Sequence, residues 1–394
     1  MRLNEHHRPA QSRTGAILLL TAFLMVFMVS LLAFAIDVGY LEVAKVQLQQ
    51  SADAAALAAA SELVDTNAVT GVTNMSASIT RARSAAVQYA GLNKVCSSAP
   101  LVDSNAGNSA SGDVVIGYLS DPSNPALAMD FSNSNLFNSV QVRVQRSTAE
   151  NGEVGLFFAR VFGKQSQAVQ TTATAAIVNG FSGFQAPSDG SNLMMMPFAY
   201  DKQTWDNLIA GTADPGITDS YSWNESTKTI SAGSDNVREI NLYPSGSSAL
   251  PPGNRGTVDV GSPNNDTADL SRQITEGISK DDLSYMPGGK LALGASGTLS
   301  LNGDTGISAG VKDELASIAG QPRIIALYSS VSGPGNNAQY TIVGFAGIRI
   351  MDVNLTGAAS SKHVIVQPAN ITVKGGIAGG SSPNYLSSPP WLVR

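Results

Sequence analysis

The stretch GAILLLTAFLMVFMVSLLAFAI (15–36) is 22 residues long and contains no charged side chain. As an α-helix it would reach roughly 33 Å, enough to cross the hydrocarbon core of a bilayer. Three arginines lie before residue 15, whereas Asp37 is the first charged residue after the stretch. Because basic flanks stay in the cytoplasm, the sequence predicts a transmembrane helix over 15–36, a cytoplasmic N-terminus over 1–14, and the rest of the chain outside.

A cleaved signal peptide is the competing interpretation. Ala33-Phe34-Ala35 fits the small-x-small pattern of signal peptidase sites, and the N-terminus is basic. However, the apolar stretch is longer than the roughly 7 to 15 residues of a usual signal-peptide core, and helical periodicity continues beyond Ala35. We interpret the segment as a retained anchor, and the alternative is a secreted binding or adhesion protein that begins at Ile36.

Beyond the membrane the sequence predicts a helical extension over 37–65. Seven of the nine residues from 52 to 60 are alanine, which favours helix and lets another helix approach closely. Apolar residues recur at steps of three and four, as Leu41, Ala44, Leu48, Ala52, Ala55, Ala59 and Leu63. This face predicts packing either on partner helices or on the globular part of the same chain.

Two positions near the end of the span have predicted roles of their own. Asp37 marks the membrane exit, either as an ordinary interfacial acid or as a carboxylate that pairs with a basic group on a neighbouring subunit or anchors the helix end among the headgroups. Gly39 is the predicted flexible point in a segment that contains no proline from 15 to 64. The candidate residues for membrane exit and helix packing are Asp37, Gly39, Leu48, Ala52, Ala55 and Ala59.

Residues 12–64 resemble the N-terminal module of TadE/TadG-like Flp pilus assembly proteins. The resemblance is carried by Asp37-Val38-Gly39, by Leu48-Gln49 before Ser51-Ala52-Asp53, and by the alanine-rich continuation. A weaker resemblance reaches about residue 180 through SVQVRVQR, LFFARVFG and an Ala/Thr strand. The resemblance implies a bacterial single-span envelope protein of the tight-adherence (Flp/type IVb) pilus machinery with a pilin-type helix.

Two family features are not matched by these residues. Pilins and TadE-type pseudopilins have a Gly cleavage site with Glu five residues later, but here Gly15 is followed at that spacing by Leu20. Larger TadG-like proteins can carry a D-x-S-x-S metal motif at the end of a buried strand. The string DFSNS (130–134) occurs here in an Asn/Ser-rich loop, so we predict no metal site there.

The ectodomain is predicted to be α+β, mixed and largely antiparallel, with short helices after the long transmembrane/pilin-like helix. Alternating patterns predict strands in SVQVRVQR (139–146) and in three C-terminal segments between residues 323 and 373. Asp266 or Thr267 is the predicted start of one short helix and Gly277 its end. The predicted organisation is a first unit over 66–180, a linker over 181–192, a β-rich second unit over 193–376 and a flexible tail over 377–394.

The chain offers few groups for chemistry. Cys96 is the sole cysteine, so no intramolecular disulfide can form, and His363 is the only histidine beyond the N-terminal tail, which excludes multi-histidine metal sites. The string GISAG (306–310) matches G-x-S-x-G, and Ser308 with Asp352 and His363 would form a cryptic serine hydrolase. The preceding segment is polar and the chain lacks an α/β-hydrolase pattern, so this is the weaker alternative.

We therefore predict a structural or assembly protein rather than an enzyme. It has no catalytic, cofactor-binding or metal residues, and the acidic net charge of −6 gives no basic surface for nucleic acid. Its expected partners are the membrane, crossed once, and other pilus assembly proteins or a second copy that associates through the N-terminal helix. The expected location is the bacterial inner membrane with the ectodomain outside the cytoplasm.

Overall fold

The first helix carries the apolar stretch and continues well past it. The structure of the protein, a computed structural model, describes residues 14–64, 68–70, 75–124, 126–212, 217–243, 256–261, 266–303, 307–333, 337–379 and 384–393. Helix α1 (Thr14–Ser61) runs without interruption through Gly39. The predicted long helix is therefore confirmed, whereas the predicted cytoplasmic N-terminus lies outside the described residues except for Thr14.

The rest of the described chain is rich in short strands. The other α-helices are α2 (Met75–Leu92), α3 (Lys202–Ala210), α4 (Thr267–Glu276), α5 (Lys280–Ser284) and α6 (Lys312–Ser317). The strands are β1 (Val114–Gly117), β2 (Ser139–Arg146), β3 (Val154–Gly155), β4 (Ser166–Gln167), β5 (Val169–Ala176), β6 (Phe181–Gln185), β7 (Met195–Asp201), β8 (Ile217–Thr218), β9 (Tyr221–Asn224), β10 (Thr229–Ala232), β11 (Glu239–Asn241), β12 (Gly256–Thr257), β13 (Lys290–Ala292), β14 (Leu299–Gly303), β15 (Pro322–Ser332), β16 (Ala338–Asn354), β17 (His363–Pro368), β18 (Ile371–Thr372), β19 (Gly376–Ala378), β20 (Leu386–Ser387) and β21 (Trp391–Leu392). Short 3₁₀ turns include Ser134–Leu136, Ala159–Phe162 and Ala309–Val311. The predicted α+β class is confirmed.

The chain divides into two compact units, each built from separated segments. Unit 1 contains the residues up to Ala56, Arg83–Val115 and Gln141–Ala173, and unit 2 contains Leu57–Ala82, Ile116–Val140 and the chain from Thr174 onward. This division differs from the predicted boundaries at 66–180 and 193–376, because strand and helix pairing joins segments far apart in sequence. Strand β6 lies within the predicted linker over 181–192.

In unit 1, α2 packs antiparallel to α1. The Ser51 hydroxyl donates a hydrogen bond of 3.1 Å to the carbonyl of Ala90, and the side-chain oxygen of Gln47 accepts one of 2.8 Å from the backbone N–H of Cys96. The facing surfaces consist of small, fully buried residues, among them Ala44, Ser51, Ala52, Ala55, Ala56, Ala86 and Ala90. Small side chains let the two helices come close together.

A buried arginine organises the polar loop that follows α2. Arg83 is 8% exposed, and its guanidinium donates to the carbonyls of Ser104 at 2.6 Å and Val114 at 3.0 Å and to the side-chain oxygen of Asn108 at 2.8 Å. Burial lowers the pKa of Arg83, and the nearby charge of Asp103 partly opposes this effect. Arg83 therefore donates to three acceptors between residues 104 and 114, and the carbonyl of Val114 also accepts from the side chain of Asn105 at 2.9 Å.

Replacing Arg83 with Met is expected to lower the free energy of unfolding of this region by roughly 1–3 kcal/mol, because the hydrogen bonds from a charged donor to three acceptors are lost. Faster hydrogen exchange in residues 103–114 would measure the effect. The matched control is Arg81→Met, since Arg81 forms a half-exposed ion pair of 3.1 Å with Glu62, and exposed pairs contribute only about 0–1 kcal/mol. Equal exchange in the two variants would contradict the organising role of Arg83.

Unit 2 is built on a mixed eight-stranded sheet. Its strand order is β12-β7-β15-β16-β17-β11-β8, and β14 adds to β16. Only β7 and β15 pair in parallel among the described pairs of this sheet, and the other pairs are antiparallel. The prediction of a mixed, largely antiparallel sheet is confirmed.

Both faces of this sheet are buried. Along β15, Ile324 and Tyr328 belong to one apolar core, while Ile325 and Leu327 belong to the core on the other face. The first core also contains Phe184 and other residues of the small sheet β13-β6-β19. The second core includes side chains of α3, α4 and α6, namely Trp205, Leu208, Leu270, Ile274 and Leu315. A strand covered on both faces reads as a continuous apolar run.

Helix ends in unit 2 follow the predicted capping rules. The carboxylate of Asp266 accepts a hydrogen bond of 2.9 Å from the backbone N–H of Asp269 and caps α4. Gly277 ends that helix with φ +84, a conformation that glycine adopts without strain. Both predicted ends are confirmed.

The C-terminal residues assigned to a flexible tail contain strands. β19 joins the small sheet, β20 pairs with β18, and β21 pairs with β5 through Trp391 opposite Ala176. Within unit 2, the backbone N–H of Val393 donates to the carbonyl of Thr174 at 2.8 Å. The difference arises because edge strands of two or three residues are held by backbone pairing, which leaves almost no periodic signal in the sequence.

Candidate functional site at the end of the apolar stretch of the first helix

The solvent exposure of side chains along helix α1 changes abruptly at one residue. From Ile17 to Ile36 its large apolar side chains are exposed, and the most apolar 18-residue window of the helix has none of its residues buried. Asp37, the next residue, is only 4% exposed. An exposed apolar helix followed at once by a buried acid marks the point where α1 meets the folded part of unit 1.

The carboxylate of Asp37 binds the start of a 3₁₀ turn 120 residues later in the sequence. One oxygen accepts from the backbone N–H of Phe157 at 2.7 Å and of Phe158 at 3.3 Å, and the other accepts from Phe158 at 3.0 Å and Ala159 at 2.6 Å. The turn Ala159–Phe162 has Phe158 at its N-cap position, and this side chain cannot accept a hydrogen bond. Asp37 therefore satisfies free N–H groups that a capping residue would otherwise bind.

The electrostatics of this contact favour the charged carboxylate. Burial alone would raise the pKa of Asp37, but the N–H groups of Phe157, Ala159 and Phe158, together with the charge of Arg160, lower it below its ordinary value. Anions are stabilised by backbone N–H groups converging at the start of a helical turn. The contact is thus a charge-assisted cap between distant parts of the chain.

Aromatic packing supports the same contact. The ring of Tyr40, one helical turn after Asp37, meets the ring of Phe157 edge to face with centroids 5.2 Å apart. A hydrogen bond with Cys96, together with burial, raises the pKa of Tyr40. The turn ends at Gly163, whose φ of +85 lies in the left-handed region. We call residues 157–162 the aromatic turn.

The structure places the other predicted site residues along α1. Leu48, Ala52, Ala55 and Ala59 are fully buried by the chain itself. Gly39 is exposed, and a Cβ there would meet nothing within 4 Å. The alanine face therefore packs within the protein, and Gly39 lies on the open face of the helix.

Sequence reasoning did not identify the partner of Asp37. In the sequence, the segment LFFARVFG (156–163) carries only a part of the weaker family resemblance. Contacts across 120 residues leave no local pattern, so the only available signal was an acid placed directly after the span, together with a run of aromatics ending in glycine.

Among the described residues, Ser308, Asp352 and His363 do not form the hydrogen-bonded triad that a serine hydrolase needs. Ser308 caps its own turn by accepting from the N–H of Gly310 at 3.1 Å. The two ring nitrogens of His363 lie 2.7 Å from a carboxylate oxygen of Asp352 and 3.0 Å from the carbonyl of Ser361. Both nitrogens face acceptor oxygens, so neither faces the Ser308 hydroxyl as a general base would.

Other polar groups considered as sites have local explanations. Asp130 of the DFSNS string accepts from the N–H of Ser132 at 2.8 Å and from its hydroxyl at 3.0 Å, and these bonds lower the pKa of Asp130. Within the part of the chain that the structure describes, no group of three or more His, Cys, Asp or Glu residues is placed to hold a metal ion. The string forms a turn.

Unit 2 contains a cleft of about 890 Å³. The Arg349 guanidinium lies 4.2 Å from the centroid of the Trp223 ring, and its Nε donates to the carbonyl of Gly320 at 3.1 Å. The side chain of Gln367 also lines the cleft, and its buried oxygen has no hydrogen-bond partner among the described residues. The cleft is a concave surface of this unit that is lined by both polar and apolar residues.

The described structure is that of an α+β protein that carries a long N-terminal apolar helix of transmembrane or pilin-like type. Two family models then match the chain, Flp pilus-assembly TadE/G-like over residues 15–62 and Tad-like Flp pilus-assembly over residues 44–175. The two models together match residues 15–175 and support the resemblance to TadE/TadG-like Flp pilus-assembly proteins that the sequence predicted. Neither a curated protein nor a solved structure matches the chain.

The matched region includes the whole site. Asp37, Tyr40 and the aromatic turn all lie between residues 15 and 175, so the contact joins the two matched segments. The family domains support an assembly role in the Flp pilus and an association of the N-terminal helix with the membrane.

Proposed function

We propose that this chain is a single-pass protein of the bacterial inner membrane whose ectodomain serves Flp pilus assembly outside the cytoplasm. The observation that carries the proposal is the abrupt change in α1, where an exposed apolar stretch ends at the buried carboxylate of Asp37. Exposed apolar surface of this extent is stable when lipid covers it. The role is structural, and it involves no enzymatic step.

The orientation follows from the charges around the span. Arginines precede residue 15, while the first charge after it, Asp37, belongs to the folded unit that follows. Because basic flanks remain in the cytoplasm, the chain runs from inside to outside. The folded units then lie in the periplasm or at the cell surface.

We further propose that partner helices pack on the open face of α1 rather than on the alanine face. Gly39, Val43 and Val46 follow one another at steps of four and three, and the two valines are more than half exposed. This stripe continues the exposed apolar surface of the span. Its occupant is the apolar helix of another pilus-assembly protein, which would extend membrane packing beyond the bilayer.

Alkaline carbonate extraction tests the anchor. We expect the intact chain to stay in the membrane pellet, and its release as full-length soluble protein would contradict the proposal. The variant Leu24→Arg with Met28→Arg is the control, because each arginine at mid-bilayer costs about 2.5–3.5 kcal/mol on insertion scales, so this variant should move to the soluble fraction. Sequencing the mature N-terminus completes the test.

The secreted alternative predicts a different mature N-terminus. Cleavage after Ala35 would give a mature protein that begins at Ile36, and retention would leave residues 15–36 in place. A secreted binding protein would use a concave surface such as the cleft beside Trp223 and Arg349. A mature start at Ile36 would favour this function over the anchored one.

A further inference from the structure

The aromatic turn exposes an unusual amount of apolar surface. Val161 and Phe162 are 84% and 83% exposed, and Phe157 and Phe158 are 58% and 42% exposed. Four large apolar side chains within six residues form a contiguous patch, which soluble surfaces seldom leave open. We expect another apolar surface to cover such a patch.

The position of the turn identifies that surface. Its first three N–H groups are bound to the carboxylate of Asp37 at 2.6 to 3.3 Å, and Asp37 directly follows Ile36, the last residue of the apolar span. When α1 tilts, the turn therefore moves together with the end of the apolar span. The edge contact between Tyr40 and Phe157 fixes the turn on that side of the helix.

The composition of the turn suits the headgroup region of a bilayer. Arg160 and Lys164 are exposed, and no acidic residue occurs from 156 to 165. The Nε of Arg160 donates to the carbonyl of Leu156 at 2.6 Å, which holds the guanidinium beside the turn. Aromatic rings favour the membrane interface, and nearby cations favour anionic lipid headgroups.

We propose that the aromatic turn inserts Val161 and Phe162 into the outer leaflet of the same bilayer that α1 crosses. The ectodomain then contacts the membrane at two points, the helix and the turn, and Asp37 couples them. Two contacts fix the rotation of unit 1 about the axis of α1, which a single span leaves free. This inference rests on the proposed membrane span.

The test places a fluorescent probe at chosen depths in the full chain. Cys96→Ser removes the native thiol while keeping a group that can hydrogen-bond with Tyr40, and Phe162→Cys then carries an NBD label. The chain is reconstituted in vesicles of phosphatidylcholine and phosphatidylglycerol. We expect lipid nitroxides near the headgroup to quench the label more than nitroxides deep in the acyl chains, and iodide in water to quench it weakly.

Two matched positions serve as controls. Leu101→Cys gives a label at an apolar residue that is 80% exposed but bound to Asn151 instead of Asp37, and iodide should quench it fully. Phe27→Cys reports on the span, and deep nitroxides should quench it. All three substitutions lie at exposed side chains, so folding is expected to be retained.

The outcomes separate the two proposals. If the label at 27 is quenched by deep nitroxides while the label at 162 behaves like that at 101, insertion of the turn is overturned and the span stands. Protection of the label at 162 from both iodide and lipid nitroxides would mean a protein cover and would also overturn insertion. If lipid nitroxides fail to quench the label at 27, the span itself fails, and the turn proposal fails with it.

Discussion

Replacing Ala55 with Leu is expected to lower the free energy of unfolding of the α1–α2 pair by about 1–3 kcal/mol, since overpacking forces side chains and backbone to shift. Ala55 is fully buried, and the two facing helices are lined by small residues. Ala59→Leu should act in the same direction. Hydrogen exchange of the amides in residues 44–60 and 83–92, followed by mass spectrometry in mild detergent, would measure the change.

The control for this experiment is Ala54→Leu, which makes the same substitution on a half-buried face of the same helix. It should leave exchange nearly unchanged. Co-purification of partners separates folding from association. If Ala55→Leu abolishes partner binding while exchange stays as in the parent protein, the alanine face is a partner interface and the internal packing seen here is not its main role.

The sequence predicted elements whose pattern is local. The first of the three C-terminal segments, which begins with RIIALY (323–328), and the segment of the long strand β16 are predicted because buried strands are dense in β-branched and aromatic residues. Asp266 and Gly277 bounded α4 because capping chemistry acts within one helical turn. Alternation in β2 placed its valines on one buried face. Such signals need no knowledge of the rest of the chain.

Features that depend on distant pairing were missed. The predicted linker contains β6 because Leu291 and Ile377, far along the chain, lie on strands that flank it. The predicted tail contains β21 for the same reason. Within the candidate site, the periodicity of α1 marked Ala55 and Ala59 as packing positions without saying what covers them. The partner of Asp37 could not be found, because no local rule links an acid to N–H groups 120 residues away.

Replacing Asp37 with Ala is expected to release the aromatic turn from α1. The amides of Phe157, Phe158 and Ala159 would lose their shared acceptor. They would therefore lose most of their protection from hydrogen exchange. Asp37→Asn keeps one oxygen acceptor but loses the charge, so its effect should be intermediate. Protection factors of these three amides, measured in the full chain in detergent, test the prediction.

The same contact predicts a pH dependence with a definite sign. The folded-state pKa of Asp37 lies below its ordinary value of 3.8, so the charged carboxylate contributes fully above that value and its contribution is lost as the pH falls through the lowered folded-state pKa. Protection of the three amides should therefore fall under strongly acidic conditions in the parent chain and stay low at every pH in Asp37→Ala. Asp53→Ala is the control, because the carboxylate of Asp53 accepts a local hydrogen bond of 2.7 Å from the side chain of Gln49, on the same helix. If Asp53→Ala releases the turn as fully as Asp37→Ala, the loss reflects general weakening of α1, and the specific cap by Asp37 is contradicted.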